Sequence, residues 1–170
     1  MQEIFTRVSI RVFTPEPVAA DAVQKLLAAG MQAPSAGNQQ PWEFIVIEDA
    51  AMREKLAAVS PYAKPLLSAP LGIVILLNDS TLRFPECWQQ DLSACAQNIL
   101  LECVHLGLGA VWLAIADFPE RMAAAKALFG LPEHLSVFAV LAIGHPGEEK
   151  KAVSRYRQER VHYGTYARPA

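Results

Sequence analysis

The clearest pattern in the 170-residue sequence is a long amphipathic helix, predicted over Pro85–Leu106. Apolar side chains recur there at steps of three and four residues, which places them on one face of a helix. They are Leu92, Cys95, Ala96, Ile99, Leu100, Cys103 and Leu106. Asp91 and Glu102 roughly share a helix face, but nothing distinguishes them from solvated charges. A helix with so continuous an apolar face needs a broad apolar surface to pack against.

Four predicted strands supply that surface. Leu71–Leu77 and Ser136–Ile143 are apolar throughout, which is typical of strands that are buried on both faces. The other two predicted strands are Trp42–Glu48 and Ala110–Ile115. Shorter helices are predicted over residues 17–30 (with Gly30 as the C-terminal stop), Ala50–Ala58 and Pro119–Phe129. The sequence therefore predicts one α+β domain over residues 1–170, with helices packed on a central sheet of four or five strands.

Composition excludes several classes of protein. The net charge of −2 provides no basic footprint for nucleic acid, and no apolar stretch reaches the roughly 20 residues that a membrane span needs. The N-terminus lacks the pattern of a secretory signal, so we expect a cytoplasmic protein. Hydrophobic residues make up 52% of the chain and charged residues 19%. This balance indicates either an extensive subunit interface or simply Ala-rich helices.

Residues His145–Ala170 differ from the rest of the chain. They are charged, aromatic and poor in aliphatic residues, with no periodicity of either kind. Such a tail is either disordered or laid across another surface. Tyr156, Tyr163 and Tyr166 favour the second alternative, because aromatic side chains contribute large contact areas.

Two segments have the composition of a binding site. In an extended Arg7–Arg11, the side chains of Arg7, Ser9 and Arg11 share a face, with Val8 and Ile10 opposite. Two guanidiniums and a hydroxyl suit an anion that is rich in acceptors, such as a phosphate ester with a polyol. The alternative is a half-exposed strand with a solvated charged face.

The second segment is the loop Ala33–Pro41. Its small residues let backbone amides approach a ligand, and the side-chain amides of Asn38 and Gln40 match the edge of a heterocycle such as a flavin or a nucleobase. An ordinary connection between a helix and a strand would have the same composition. In the tail, Arg155 and its basic neighbours could add counter-charge for a phosphate, although a solvated tail is equally basic.

No motif for a nucleophile, a metal or a nucleotide loop is present. The three cysteines lack CxxC spacing, and the four histidines are scattered, so we predict no metal site and no catalytic side chain. Gly107-Leu108-Gly109 closes a helix and opens a strand, the reverse of a dinucleotide fingerprint. Any chemistry would then come from a bound cofactor.

Taken in order, these segments resemble the nitroreductase superfamily. The resemblance rests on Arg7-x-Ser9-x-Arg11, Ala33–Trp42, Gln97–Trp112, Ile143–Glu149 and the tail segments Arg155-Tyr156 and Arg160-Val161-His162. It implies a mainly antiparallel sheet and a homodimer with FMN at the subunit interface, reached by the tail at residues 145–170. The chain lacks the helical insertion of larger members.

The resemblance also implies roles for individual residues. Arg7 and Arg155 would hold the FMN phosphate, while Ser9 and Arg11 would face the ribityl chain and the N1/O2 edge of the ring. Trp112 and Leu113 would lie along the covered face of the ring. The remaining expected cofactor-binding residues are Val8, where many relatives carry a polar group, Gln40, and, from the partner subunit, Pro34, Ser35, Ala36 and Asn38.

The activity implied is ping-pong transfer of two electrons from NADH or NADPH to a small organic acceptor such as a nitroaromatic or a quinone. No side chain need act as a general acid, since protons can come from solvent. The alternatives are a protein that stores, delivers or senses FMN, or a specialised flavin reaction such as dehalogenation.

Overall fold

The computed structural model describes residues 2–166. Its four strands form one sheet in the order β1-β2-β4-β3, and every neighbouring pair is antiparallel. The strands are β1 (Trp42–Ile47), β2 (Leu71–Asn78), β3 (Gly109–Ala114) and β4 (Leu135–Gly144). The helices are α1 (Glu3–Thr6), α2 (Ala20–Met31), α3 (Ala50–Ala57), α4 (Trp88–His105) and α5 (Pro119–Phe129). The predicted α+β class and the antiparallel sheet are confirmed.

Strand β2 shows why its sequence is apolar throughout. Ile73 and Ile75 face a core that includes the apolar side of α4, whereas Val74 and Leu76 face a second core with residues of α3 and α5. Successive side chains of a strand point to opposite faces, so a strand between two helical layers must be apolar at every position.

Helix α4 buries the face that its periodicity predicts. Leu92, Cys95, Ala96, Ile99, Leu100 and Cys103 are buried, and Leu106 packs at their margin. The helix starts three residues later than predicted, after a 3-10 turn at Pro85–Cys87. Asp91 contradicts the expectation of a solvated charge, because it is only 4% exposed. Its hydrogen-bond partners, described below, make that burial tolerable.

Gly30 lies inside α2 rather than ending it, which corrects the predicted C-terminal stop. A Cβ atom at this position would stand 2.9 Å from Cδ1 of Ile99 and 3.1 Å from Sγ of Cys95. Glycine therefore allows α2 to approach α4 closely. Helix α2 also begins later than predicted, because the backbone of Ala19 is extended (ψ 142°).

The N-terminal segment covers part of the outer edge of β3. Ser9 and Ala110 form a parallel bridge, and the backbone N–H of Ile10 donates to the carbonyl oxygen of Ala110 at 3.1 Å. The short helix α1, which carries no apolar periodicity, precedes this segment and was not predicted.

The start of the tail is bound to the same N-terminal segment. The N–H of Thr14 donates to the carbonyl of His145 at 3.0 Å, and that of Gly147 donates to the carbonyl of Val12 at 2.8 Å. Residues 151–161 are exposed on the protomer. No helix within residues 2–166 has the length and apolarity needed to cross a bilayer.

Candidate cofactor-binding site

The segment Arg7–Arg11 shows the predicted alternation most clearly at its end, where Ile10 is buried and Arg11 is exposed. Ile10 is 5% exposed and belongs to the core beneath α3 and α5, and Val8 packs against the same core. Arg11 is exposed, and Arg7 and Ser9 are partly buried, as is Val8. The core anchors two side chains of the segment, and the polar face is left available for a ligand.

A cavity of about 430 Å³ lies beside the start of this segment and brings Arg7 and Arg155 together. We call it the basic cavity. Its lining residues are Ile4, Phe5, Arg7, Val8, Lys151, Ala152, Val153, Ser154, Arg155 and Tyr156. Among residues 2–166, the lining holds three cationic side chains and no carboxylate. Such a site favours a dianionic group, which guanidiniums bind through paired, charge-assisted hydrogen bonds.

Glu148 and Lys150 fix the backbone between the two ends of the segment. Oε1 of Glu148 accepts hydrogen bonds from the backbone N–H of Arg11 at 2.5 Å and of Val12 at 3.3 Å. Nζ of Lys150 donates to the same oxygen at 2.8 Å and to the carbonyl of Ser9 at 3.0 Å. The Lys150 ammonium, and after it the backbone N–H of Arg11, lower the pKa of Glu148. The carboxylate of Glu148 thus accepts hydrogen bonds from Lys150 and from backbone N–H groups, and it does not pair with the guanidinium of Arg11.

A second, larger cavity of about 760 Å³ follows the open edge of β3. We call it the edge cavity. It is lined by Arg11, Tyr62, Lys64, Pro65, Val111, Trp112, Leu113, Ala114, Phe118 and Arg121. Three of these side chains are cationic and none is acidic. The predicted residues Arg11, Trp112 and Leu113 therefore lie together in one cavity.

The backbone of β3 offers hydrogen-bonding groups to the edge cavity. The carbonyl of Ala110 points away from β4, because it accepts from Ile10, and the carbonyl of Ala114 accepts from Nη1 of Arg121 at 3.1 Å. Backbone groups of a strand alternate with a period of two. The N–H and C=O of Trp112 therefore point to the same outer edge.

The side chains of Trp112 and Leu113 are held from opposite sides of the sheet. The Trp112 ring stands edge-on to Phe138, with ring centroids 5.4 Å apart. Leu113 is 5% exposed and belongs to the opposite core. Both contacts make this part of the cavity wall rigid.

The loop that precedes β1 is organised by a buried residue that the sequence analysis did not single out, Gln39, which is 7% exposed. Its Oε1 accepts from the backbone N–H groups of Arg83 and Phe84, both at 3.0 Å. Its Nε2 donates to Oδ2 of Asp91 at 2.6 Å and to the carbonyl of Phe84 at 3.2 Å. Oδ1 of Asp91 accepts from the N–H of Ala36 at 2.9 Å. The loop is thereby fastened to the start of α4.

The fastened loop holds its backbone in an uncommon conformation. Gly37, Asn38 and Gln40 have φ angles of 52°, 57° and 47°. A non-glycine residue pays a steric cost in this left-handed region, and such positions cluster at functional sites. Ser35 contributes a local brace, because its Oγ accepts from the N–H of Gln40 at 3.0 Å.

The predicted loop residues are not brought to the cavities of their own protomer. Pro34, Asn38 and Gln40 are exposed, and Ser35 and Ala36 are partly buried. None of them lines the basic cavity or the edge cavity. The side-chain amide of Gln40 donates to Oδ1 of Asn38 at 2.9 Å. The expected contribution of Pro34, Ser35, Ala36 and Asn38 from a partner subunit, like the cofactor-binding role of Gln40, stays a prediction.

Sequence reasoning missed several residues of this region. Tyr62, Lys64, Phe118 and Arg121 in the edge cavity lie in connections or at a helix start, where no periodic pattern marks them. Asp91 did carry a signal, since it precedes Cys95 by one helical turn and so shares the buried face of α4.

A cation-lined cavity thus lies at the sheet edge, beside a second basic cavity. The nitroreductase family model matches residues 4–145, and the chain belongs to this family.

Individual relatives cover nearly the whole chain. A protein of Archaeoglobus fulgidus with the provisional name NADH dehydrogenase/NAD(P)H nitroreductase is 39% identical over 166 residues, 95% of each chain. A solved structure provisionally named NADH oxidase, from Clostridium acetobutylicum, is 44% identical with a TM-score of 0.94; the match covers 96% of this chain and 99% of that one. A provisionally named nitroreductase from Desulfovibrio desulfuricans, solved with FMN, is 33% identical with a TM-score of 0.84, covering 98% and 96%.

Proposed function

We propose that this protein binds FMN and uses NADH or NADPH to reduce a small organic acceptor, such as a nitroaromatic or a quinone. It is an NAD(P)H-dependent oxidoreductase of its family, with FMN as cofactor. The observation that carries the proposal is the placement of the basic cavity and the edge cavity at opposite ends of one short segment, Arg7–Arg11.

The described residues fit the two ends of FMN. Arg11 lies four residue steps beyond Arg7, roughly 13 Å in extended chain, so a ligand that spans both must be elongated. Arg7 and Arg155 fit its phosphate, and Ser9 lies between them and the ring, where the ribityl hydroxyls would pass. The outward N–H and C=O of Trp112 fit the polar edge of a heterocycle.

Arg11 acts at the other end of the segment. Its guanidinium lines the edge cavity, where the electrons would arrive, and it favours any negative charge that develops there. Two unit charges 4 Å apart interact by about 1 kcal/mol in water and by about 4 kcal/mol at an effective dielectric constant near 20.

Bound FMN would supply the redox chemistry, which is acceptance of a hydride from the nicotinamide and transfer of two electrons to the acceptor. The chain's own residues bind and orient the reactants. No histidine, aspartate or glutamate lines the edge cavity among the described residues, and no side chain need act as a general acid, because protons can come from solvent. The nicotinamide and the acceptor would occupy the edge cavity one after the other, which gives ping-pong kinetics.

The proposal includes a homodimer. The tail and α1 carry large apolar side chains that are exposed on the protomer: Phe5 (77%), Val153 (77%), Tyr156 (73%), Tyr163 (89%) and Tyr166 (79%). A second copy of the chain would cover them, and it would bring its own loop of residues 34–40 to the edge cavity. Free cysteines accord with the proposed cytoplasmic location.

Truncation tests the dimer. Residues 145–148 form hydrogen bonds with residues 11–14. The truncated variant should therefore keep these residues and end after Lys150 rather than at Gly144. The shortened protein should sediment as a monomer and lose flavin on gel filtration. A flavin-replete dimer after truncation would contradict the role of the tail.

The test of the activity is the absorbance spectrum of the purified protein under anaerobic conditions, before and after NADH or NADPH. Flavin bands that bleach on addition, and return with a nitroaromatic or a quinone, support the proposal. Parallel double-reciprocal plots support the ping-pong order. Flavin bands that neither NADH nor NADPH bleaches would favour storage, delivery or sensing of FMN. Slow turnover with nitroaromatics and quinones would favour a specialised reaction such as dehalogenation.

A further inference from the structure

The edge cavity contains more positive charge than the proposed function uses. Besides Arg11 it is lined by Lys64 and Arg121, which come from the connection before β2 and from α5. Neither residue has a carboxylate within 4 Å among residues 2–166. Cations left unpaired in a partly enclosed, apolar space strengthen each other's attraction for an anion.

Arg121 is held in a definite position. Its Nη1 donates to the carbonyl of Ala114 at 3.1 Å. Its guanidinium carbon lies 3.7 Å from the centroid of the Phe118 ring and 5.5 Å from that of Tyr62. Stacking on aromatic faces and one backbone hydrogen bond orient the planar group while leaving other N–H donors available. Little side-chain entropy is then lost when it binds a ligand.

The two rings themselves are only partly covered. Phe118 is 44% exposed and Tyr62 is 72% exposed, and both line the edge cavity. Exposed aromatic faces beside a fixed guanidinium and a lysine form a surface that matches an aromatic ring with an acidic substituent.

We propose that Arg121, assisted by Lys64, determines specificity by binding the carboxylate of an acidic aromatic acceptor in the edge cavity. The planar guanidinium matches a carboxylate in two hydrogen bonds, and Lys64 adds a mobile charge. This inference rests on the proposed function, because it assigns the preferred class of acceptor at the same site. The preferred acceptors are aromatic acids that carry a reducible group.

A matched pair of acceptors tests the inference. The substrates 4-nitrobenzoate and 4-nitrobenzamide share a ring and a nitro group and differ in the charge of one substituent. The quantity to compare is the ratio of their kcat/KM values within each variant, since each variant then serves as its own reference. Arg121→Gln should lower the ratio of acid to amide about tenfold, the usual effect of losing a hydrogen bond to a charged group.

Two further variants separate charge recognition from a structural role. Arg121→Lys keeps the charge and should restore part of the ratio. Lys126→Gln removes a cation from the same helix, where Nζ of Lys126 donates to the carbonyl of Glu133 at 2.8 Å outside the cavity, and should leave the ratio at the wild-type value. Equal ratios in wild type and Arg121→Gln would overturn the proposal.

Stopped-flow measurement of each half-reaction shows whether Arg121 binds the carboxylate of the acceptor or a phosphate of the coenzyme. The loss in Arg121→Gln should fall on reoxidation by 4-nitrobenzoate. A loss confined to reduction by NADH or NADPH would mean that Arg121 binds a coenzyme phosphate, and would overturn the assignment. If Arg121→Gln does not retain flavin, the wild-type ratio is measured against potassium chloride concentration. Salt should lower it by screening, and a ratio that salt leaves constant would refute the inference.

Failure of the proposed function has a different signature. In that case neither nicotinamide bleaches the flavin, and neither acceptor is reduced. If bleaching and reduction of both acceptors occur without a charge-dependent ratio, only the specificity assigned to Arg121 is wrong.

Discussion

Replacing Gln39 by alanine should destabilise the protein far more than its position in a loop would indicate. The side chain makes four hydrogen bonds, with Arg83, Phe84 (two) and Asp91, and both it and Asp91 are buried. Alanine would remove all four and leave the Asp91 carboxylate with one fewer donor in a site that water reaches poorly.

The expected cost is about 3–5 kcal/mol. Loss of a hydrogen bond to a buried charged group costs about 1.5–3 kcal/mol, and the three hydrogen bonds lost from the partly buried backbone groups of Arg83 and Phe84 add about 1–3 kcal/mol together. The neighbouring Gln40→Ala is the matched control, because Gln40 is exposed and its side chain makes one hydrogen bond, to Asn38. A surface change of this kind costs about 0.5 kcal/mol.

Urea unfolding of the flavin-free proteins, at equal protein concentration, measures both free energies without contributions from ligand binding. A cost for Gln39→Ala of about 3 kcal/mol is a large part of the 5–15 kcal/mol that stabilises a typical domain. Free energies for the two variants within 1 kcal/mol of each other would refute the role assigned to Gln39 as the brace of the loop.

Three further outcomes follow from the structure. Arg7→Ala should weaken binding of FMN much more than of riboflavin, which lacks the phosphate; equal losses in fluorescence titrations would contradict the basic cavity. Lys150, with the backbone N–H groups beside it, holds the pKa of Glu148 below its ordinary value of 4.5, so this carboxylate stabilises the fold above that pH and its contribution is lost as the pH falls through the folded-state pKa. In thermal melts, Glu148→Gln should have a lower melting temperature than the wild type at neutral pH, and the difference should become smaller below pH 4.5. Burial raises the pKa of the Cys95 thiol to about 12, so iodoacetamide should modify the half-buried Cys87 first, and equal rates by mass spectrometry would contradict this.

Local periodicity was sufficient to predict most elements and the side of each that is buried. The apolar face of α4, the two-sided burial of β2 and the alternation in Arg7–Arg11 all follow from repeats of 3.6 or 2 residues. Such repeats depend only on backbone geometry, which is the same in any fold. The α1 helix was missed because four residues are too few to show a period.

Residues that meet from distant parts of the chain were decided by the tertiary structure. Gln39 joins Asp91 because α4 begins beneath the loop. Arg155 reaches Arg7 because the tail returns along the N-terminal segment, a meeting that the family resemblance implied but that no local repeat predicts. The sequence predicts Gly30 as a helix stop, whereas in the structure it lies inside α2, where it allows the close approach of Ile99. A sequence pattern specifies which face of an element avoids water, whereas the partner of that face depends on how all the elements fill one core without voids. Pairs such as Gln39 with Asp91 are therefore properties of the packed molecule, whereas the pairing of Arg7 with Arg155 was implied by the family resemblance.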